Sequence, residues 1–337
     1  MTEVLLSRYA DCITWLARYM ERVENLARIL DVNEVFARDS RGNQNWESIV
    51  SLFADRERFF ARHREATAGT VLSWYVLDNS NPNSIVSAVR AARENARTLR
   101  PLISTEMWVQ INVFHSELAK LIPDALAPEQ RHGFFTRLKE ACQLHTGIVE
   151  GTLHRDQGWF FYQIGRMIER ADQTTRLLDI KYHLLLPHSA DIGSPIDVSQ
   201  WNALLRSAAA YHAYRRIYSG GVTPGQVAEL LLLNPSFPRS VRFCVRQAES
   251  LLLEVCGHYG LRRGGKATEV LDTLRSLLSA ITMKEVLSKG LHEFLDLVQV
   301  RLIEVSRHMG VGFFGHGAVR VPDYVHEAEP DLLPSSG

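Results

Sequence analysis

Residues 12–32 read CITWLARYMERVENLARILDV, and residues 163–180 repeat this pattern as QIGRMIERADQTTRLLDI. On a helix, Arg18, Glu21, Arg22, Asn25 and Arg28 share one stripe of about 120°, and apolar side chains fill the opposite face. Both segments are therefore predicted to be amphipathic helices with Glu-Arg at the centre. A shift of 148 residues superposes these identical pairs: Arg18 and Arg166, Glu21 and Glu169, Arg22 and Arg170, Arg28 and Arg176, Leu30 and Leu178, and Asp31 and Asp179.

The segments that follow the two helices also recur in the same order. The matching pieces are Trp46 and Trp201, the turns Asn81-Pro82 and Asn234-Pro235, and, at a shift of 153 residues, Ser87 and Ser240. Helix-period patterns dominate the chain, and strand-like alternation is almost absent. The sequence thus predicts an all-α helical bundle built by internal duplication. Its repeats span residues 1–152 and 153–309 and pack as one helical unit, followed by a flexible tail at 310–337.

Helix-start and helix-stop signals give approximate boundaries for these elements. They predict helices at 7–38, 46–65, 70–77, 85–100, 129–150 and 156–186, a linker at 187–195, a helix opened by Trp201, and helices at 266–283 and 285–309. Ser84 follows a cluster of turn residues and is predicted to cap the helix after it.

Composition excludes several classes of protein. The 337 residues are 46% apolar and 23% charged, as in ordinary globular proteins, and 38 basic residues balance 38 acidic ones. No bulk positive charge therefore attracts nucleic acid or an acidic membrane. Four cysteines show no CxxC spacing, which fits a reducing compartment, and no apolar run reaches 18 residues. We expect a cytoplasmic protein.

The polar stripe is better preserved between the two segments than the apolar face. Met20 is replaced by isoleucine, Val23 by alanine and Ala27 by threonine, while the arginines and the glutamate stay. Three interpretations are open: a solvated face, a buried network that docks the two halves, or a cleft whose arginines hold a phosphate or carboxylate. The candidate binding or ion-pair residues are Arg18, Glu21, Arg22, Asn25, Arg28, Arg166, Glu169, Arg170 and Arg176.

Motifs for catalysis and for metal binding are weak in this sequence. Only Glu129 and His132 have the Glu-x-x-His spacing that a di-iron bundle needs twice, so no metal and no cofactor are predicted. No GxSxG elbow occurs, and the stretch 264–268 lacks the first glycine and the strand of a phosphate-binding loop. No catalytic residue can be assigned.

With these motifs in place, the chain resembles the alpha-E family of bacterial helical proteins, which is named for an ER motif. The resemblance rests on SRYADCITWLARYMERVENLARILDV, NPNSIVSAVRAARENARTLRPLISTEMW, GWFFYQIGRMIERADQTTRLLD and NPSFPRSVRFC, and it spans about residues 5–310. It implies an all-α fold and an association with circularly permuted ATP-grasp proteins, often accompanied by transglutaminase-like peptidases. Gly165 stands where the first segment has Ala17, a difference to which the sequence gives no weight.

Three functions remain open at this stage. The first is a helical accessory protein of an ATP-grasp-type amide or peptide ligase, whose cleft binds an anionic small molecule, a peptide or the ligase itself. The second is an enzyme acting on an amide or peptide, with Glu21 or Glu169 as general acid or base. Neighbouring arginines lower a carboxylate's pKa, which disfavours this second role at neutral pH. The third is a purely structural scaffold.

Overall fold

The computed structural model describes residues 5–39, 46–125, 127–185, 195–260 and 265–316. These residues form an all-α bundle of fifteen helices and one π-helical turn, with no β-strand among them. The helices are α1 (Ser7–Asp39), α2 (Glu47–Leu52), α3 (Arg56–Phe60), α4 (Ala68–Leu72), α5 (Ile85–Thr98), α6 (Thr105–Ala125), α7 (Arg131–Thr152), α8 (Gln157–Leu185), α9 (Pro195–Ser207), α10 (Tyr211–Ile217), α11 (Pro224–Leu233), α12 (Val241–Tyr259), α13 (Gly265–Ala280), α14 (Met283–Lys289) and α15 (Leu291–Phe313), and the π-helical turn spans Ser73–Leu77 after α4.

The two Glu-Arg segments form the long helices α1 and α8 at the centre of the bundle. Helix α1 packs against α5, α7, α8 and α9, and α8 packs against α12, α15 and α2. Their apolar faces enter one continuous core, in which Ile13, Val23 and Ile164 are fully buried. No helix in the described ranges is both long enough and apolar enough to cross a membrane.

Side-chain caps fix where several helices begin. The hydroxyl of Ser84 accepts a hydrogen bond from the backbone N–H of Ser87 at the start of α5, as predicted. Ser240 does the same for Phe243 at the start of α12. The two caps show that Ser240 corresponds to Ser84, so the pairing of Ser240 with Ser87 at a shift of 153 residues was wrong. The turn before α12 is three residues longer than the turn before α5, and sequence matching placed the cap one helical turn too far along.

Three predicted helix boundaries differ from the structure. The helix expected at 46–65 is two short helices, because Ala54 has a φ of 50° and the chain turns there. Helix α9 begins at Pro195, so Trp201 lies inside it, and residues 187–194 of the predicted linker lie outside the described residues. The helix predicted at 285–309 is divided at Gly290, where φ is 99°, into α14 and α15.

The last helix also extends beyond its predicted end at Met309. Helix α15 continues to Phe313, whose ring packs edge-on against Phe161 at 5.4 Å between centroids. Phe314 contacts the same ring, and His316 reaches Asp11 at 3.1 Å. The first residues of the predicted flexible tail are therefore part of the packed body, and 317–337 lie outside the described residues.

Candidate functional site

Helices α1 and α8 lie side by side and run in the same direction. The contacts between them keep a nearly constant sequence separation: 152 residues for Leu5 and Gln157, 151 for Arg18 and Glu169, and 149 for Glu21 and Arg170. A constant separation requires parallel helices, since it would change steadily along an antiparallel pair. The two polar stripes consequently face each other in register along the interface.

Glu169 of α8 is held by two arginines of α1. Its oxygens accept hydrogen bonds from Arg18 Nε at 2.9 Å, Arg22 Nε at 2.7 Å and Arg22 Nη2 at 3.1 Å. The guanidinium group of Arg18 also lies 4.5 Å from the ring centroid of Trp15, so an aromatic face covers its other side. The Glu169 side chain is 1% exposed, which makes this a buried, charge-assisted contact between the two helices.

Glu21 of α1 is held by arginines from the other half of the chain. Arg170 donates to it through Nε and Nη2, both at 2.8 Å, in the two-pronged geometry that suits guanidinium and carboxylate. Arg239, which precedes α12, adds a longer contact of 3.4 Å. Asn25 completes the site by donating its amide to Glu21 at 2.9 Å. This carboxylate is therefore surrounded by donors.

The pairing is reciprocal between the two helices. Glu21 binds Arg170 and Glu169 binds Arg22, and the shift of 148 residues converts one contact into the other. The flanking arginines repeat each other as well: Arg28 pairs with Glu24 and donates to the Ser207 carbonyl, while Arg176 pairs with Asp172 and donates to the Leu52 carbonyl. We call these side chains the Glu-Arg network: Arg18, Glu21, Arg22, Glu24, Asn25, Arg28, Glu169, Arg170, Asp172, Gln173, Arg176 and Arg239.

The structure brings every sequence-predicted site residue except Arg166 into this network. Arg166 donates instead to Glu150 near the end of α7 at 3.1 Å, although its equivalent Arg18 binds Glu169. Sequence reasoning missed Arg239, which bridges Glu21, Asn25 and Glu24. Its position directly before Ser240, in the segment NPSFPRSVRFC, was the available signal.

The network fixes the ionisation of its central glutamates. Burial alone would raise the pKa of Glu169, but the guanidinium groups of Arg22 and Arg18 outweigh it and hold that pKa at about 2. Burial opposes ionisation of Glu21 as well, and Arg170 with Arg239 again holds its pKa below the ordinary range. Both carboxylates are thus acceptors with their lone pairs in use. This arrangement suits a structural or orienting group and disfavours a general acid or base.

One cluster outside the network has the composition of a metal site. Asp179, His292 and Asp296 offer ligand atoms within 4.8 Å of one another. The imidazole of His292 lies between the two carboxylates, with Nδ1 2.9 Å from Asp179 and Nε2 3.5 Å from Asp296. These hydrogen bonds and charges raise the pKa of His292 against the effect of burial. A protonated imidazole bridging two carboxylates accounts for the cluster without a metal.

Two cavities border the network, one at Arg18 and the other at Arg22. The larger, about 360 Å³, is lined by Trp15, Arg18, Ile303, Ser306, Arg307 and Phe314, and we call it the Trp15 cleft. The smaller, about 120 Å³, is lined by Arg22, Asn83, Glu169, Asp172, Gln173 and Arg176, and we call it the Gln173 cavity. The two cavities share no lining residue, and the network contributes side chains to both.

The comparison with known protein families agrees with this geometry. Residues 5–314 match the family described as "Alpha-E: A predicted alpha-helical domain with a conserved ER motif". The chain belongs to the Alpha-E family. Its two Glu-Arg dipeptides, Glu21-Arg22 and Glu169-Arg170, meet across the α1–α8 interface and bind each other reciprocally. In this member, the residues of the ER motif lie at the centre of the bundle.

Mycobacterial proteins are the relatives found among curated proteins. An uncharacterized protein of Mycobacterium bovis and one of Mycobacterium tuberculosis are each 24% identical to the chain over 309 residues. The match covers 84% of this chain and 34% of each relative, so the Alpha-E chain spans about a third of their length. No solved structure matches the chain.

The buried side chain of His145 is expected to make the stability of the fold sensitive to acid. His145 is fully buried; its Nδ1 lies 3.0 Å from Gln110 Oε1, and its Nε2 has no hydrogen-bond partner among the described residues. Burial, with a smaller contribution from Arg166, lowers its pKa to about 3. Its folded-state pKa lies below its ordinary value of 6.5, so the folded state binds fewer protons than the unfolded state, and stability falls as the pH drops below 6.5.

We expect this histidine to remove about 2 kcal/mol of stability between pH 6.5 and pH 5, at about 1.4 kcal/mol per pH unit. This window lies above 4.5, the ordinary pKa below which the stabilisation from Glu21 and Glu169 is lost, so the two effects separate. Urea unfolding at both pH values, compared between the native protein and His145→Gln, measures the contribution. An equal loss of stability in the two proteins would show that His145 is not responsible.

Proposed function

We propose that this Alpha-E protein is a non-catalytic helical partner of an ATP-grasp-type amide or peptide ligase, and that the Trp15 cleft binds a carboxylate-bearing peptide or substrate. The observation that carries the proposal is the state of the glutamates. Glu21 and Glu169 each accept hydrogen bonds from two arginines inside the bundle, so neither glutamate is available as a general acid or base. Binding is the function left to the adjacent cleft.

The lining of the Trp15 cleft supports a ligand with one anionic and one apolar part. Arg18 and Arg307 supply positive charge, and Trp15, Ile303 and Phe314 supply apolar surface. Arg18 is held in place by Glu169 and by the hydroxyl of Ser306, to which its Nη1 donates at 2.9 Å. A fixed guanidinium group beside apolar walls favours a carboxylate attached to a hydrophobic residue.

The choice of partner rests on family context and on the length of the relatives. The resemblance to the alpha-E family implies an association with ATP-grasp proteins. A transglutaminase-like peptidase is a second candidate partner. The mycobacterial relatives carry the matching region as about a third of a longer chain, which supports a domain that works beside others. The described cysteines are free thiols, which supports the cytoplasmic location predicted from composition.

Co-purification tests the proposed partnership. The protein is co-expressed with a candidate ATP-grasp-type ligase, and both the complex and the ligase rate are measured. We expect a stable complex or a change in ligase rate of at least tenfold. Absence of both would refute the partnership.

The cleft is tested with a pair of matched variants on α15. Arg307→Ala removes an arginine that lines the cleft. Arg301→Ala is the control, because Arg301 lies six residues earlier on α15, is exposed and pairs with Glu304. We expect Arg307→Ala to weaken binding of an N-acetylated dipeptide acid at least fivefold and Arg301→Ala to leave it unchanged. The corresponding dipeptide amide should bind the native protein as weakly as the acid binds Arg307→Ala. Equal affinity for acid and amide would contradict a carboxylate site.

A further inference from the structure

The loops before α5 and α12 deliver different side chains to equivalent places. Ser84 and Ser240 are both N-caps, so the residues before them, Asn83 and Arg239, correspond. The guanidinium group of Arg239 enters the network, donating to Asn25 Oδ1 at 3.3 Å, to Glu21 Oε1 at 3.4 Å and to Glu24 Oε1. In that half of the molecule, the space next to the carboxylates is filled by an arginine.

In the other half, the same space is the Gln173 cavity. Asn83 lines its wall and is too short to fill it, which leaves about 120 Å³. Three further lining residues are the equivalents of the groups that Arg239 contacts, because the shift of 148 residues relates Glu169 to Glu21, Asp172 to Glu24 and Gln173 to Asn25. The cavity therefore keeps the acceptors of a guanidinium site without an arginine in it.

One of these acceptors is buried and unsatisfied. Gln173 is 4% exposed, and its Oε1 has no hydrogen-bond partner among the described residues. Its Nε2 donates to Glu169 Oε1 at 3.1 Å and to Asp172 Oδ2 at 3.4 Å, so the amide orientation is fixed and the oxygen is left over. The equivalent oxygen, Asn25 Oδ1, is the one that accepts from Arg239. A buried acceptor without a donor indicates a missing partner.

The charge pairing points to the same missing group. Glu21 contacts Arg170 and Arg239, Glu24 contacts Arg28 and Arg239, and Glu169 contacts Arg18 and Arg22. Asp172 contacts Arg176 alone among the arginines of the described residues. Its side chain is 14% exposed and that of Arg176 is 19% exposed, so the cavity is reached from solvent.

We propose that the Gln173 cavity is a binding site for a guanidinium group, supplied by an arginine side chain or by a small guanidinium compound. The incoming group donates to Gln173 Oε1 and to Asp172, as Arg239 donates to Asn25 and Glu24 in the other half. In that half, the guanidinium group of Arg239 binds the carboxylates beside Arg170 and Arg28, which are the equivalents of Arg22 and Arg176. The site shares no lining residue with the Trp15 cleft and does not depend on the ligase partnership.

Titration of the full chain with N-acetyl-L-argininamide, followed by calorimetry, tests the proposal. Its neutral isostere N-acetyl-L-citrullinamide is the control ligand, and we expect it to bind at least tenfold more weakly. A tripeptide with a central arginine separates the two sources. Tighter binding of the tripeptide indicates the side chain of a partner protein, and tighter binding of the free amide indicates a small molecule. Failure of both arginine probes to bind would overturn the proposal.

Two variants of the cavity, Asn83→Arg and Gln173→Met, and one control variant locate the bound probe. Asn83→Arg places a guanidinium group on the loop that corresponds to Arg239, so we expect it to fill the cavity, abolish probe binding and raise the melting temperature. Gln143→Arg, on an exposed position of α7, adds the same charge elsewhere and should bind the probe normally. Gln173→Met removes the unsatisfied oxygen and should weaken binding at least tenfold. Unchanged probe affinity in both Asn83→Arg and Gln173→Met would place the ligand elsewhere and refute the site.

Discussion

Replacing Arg170 with alanine is expected to lower the free energy of unfolding by about 3–5 kcal/mol, the cost of leaving a buried charge without its partner. Arg170 makes both short contacts to Glu21, whose side chain is 2% exposed. Without it, the carboxylate keeps one arginine at 3.4 Å and the amide of Asn25. Urea unfolding followed by circular dichroism measures the loss.

The equivalent change in the other helix is the matched control. Arg22→Ala removes the residue that corresponds to Arg170, but Glu169 keeps Arg18 at 2.9 Å. We therefore expect a smaller loss, about 1–3 kcal/mol. Equal losses in the two variants would contradict the asymmetry that Arg18 and Arg166 create. Losses below about 1 kcal/mol in both would show that the network contributes little to stability.

Replacing Gly165 with alanine is the second change with a large expected effect. A β-carbon at this position of α8 would lie 2.6 Å from the carbonyl oxygen of Thr14 and 3.0 Å from its methyl group. The obstacle is the backbone of α1, which cannot rotate away, so the two central helices would have to separate. We expect a loss of about 2–3 kcal/mol, the usual cost of overpacking a close-packed interface.

Another helical glycine provides the control for this change. Gly147 of α7 is exposed, and a β-carbon there would meet nothing within 4 Å. Gly147→Ala should therefore stabilise the protein by about 0.5–1 kcal/mol through helix propensity alone. The two glycine-to-alanine changes are expected to have opposite signs in the same unfolding assay. A stabilising Gly165→Ala would mean that α1 and α8 are not in such close contact.

Much of the architecture follows from the sequence because helical periodicity and charge are local signals. The retained stripe contains eight of the twelve residues of the network, which is more than a solvated face, free to vary, would be expected to keep. Periodicity also gives the all-α class and the positions of α1 and α8. The interpretation of the stripe as a solvated face was wrong, because Glu21 is 3% exposed and Glu169 is 1% exposed.

The remaining details depend on neighbours that sequence matching does not reveal. Arg18 and Arg166 occupy equivalent positions in the two segments, yet Arg166 donates to Glu150 near the end of α7 and not to a glutamate of the α1–α8 interface. Gly165 matters because the backbone of α1 approaches it closely, and no property of α8 alone predicts that approach. Giving no weight to the difference between Ala17 and Gly165 was therefore wrong. Arg239 was missed because the turn before α12 is longer than the turn before α5, which displaced the alignment by three residues.

The reciprocal pairing has a consequence for how this domain can be inherited. The closest arginine of Glu21 and that of Glu169 each lie on the opposite long helix, so a cut between α7 and α8 would separate both buried carboxylates from these partners. The family match, residues 5–314, includes both long helices and therefore keeps these pairs together.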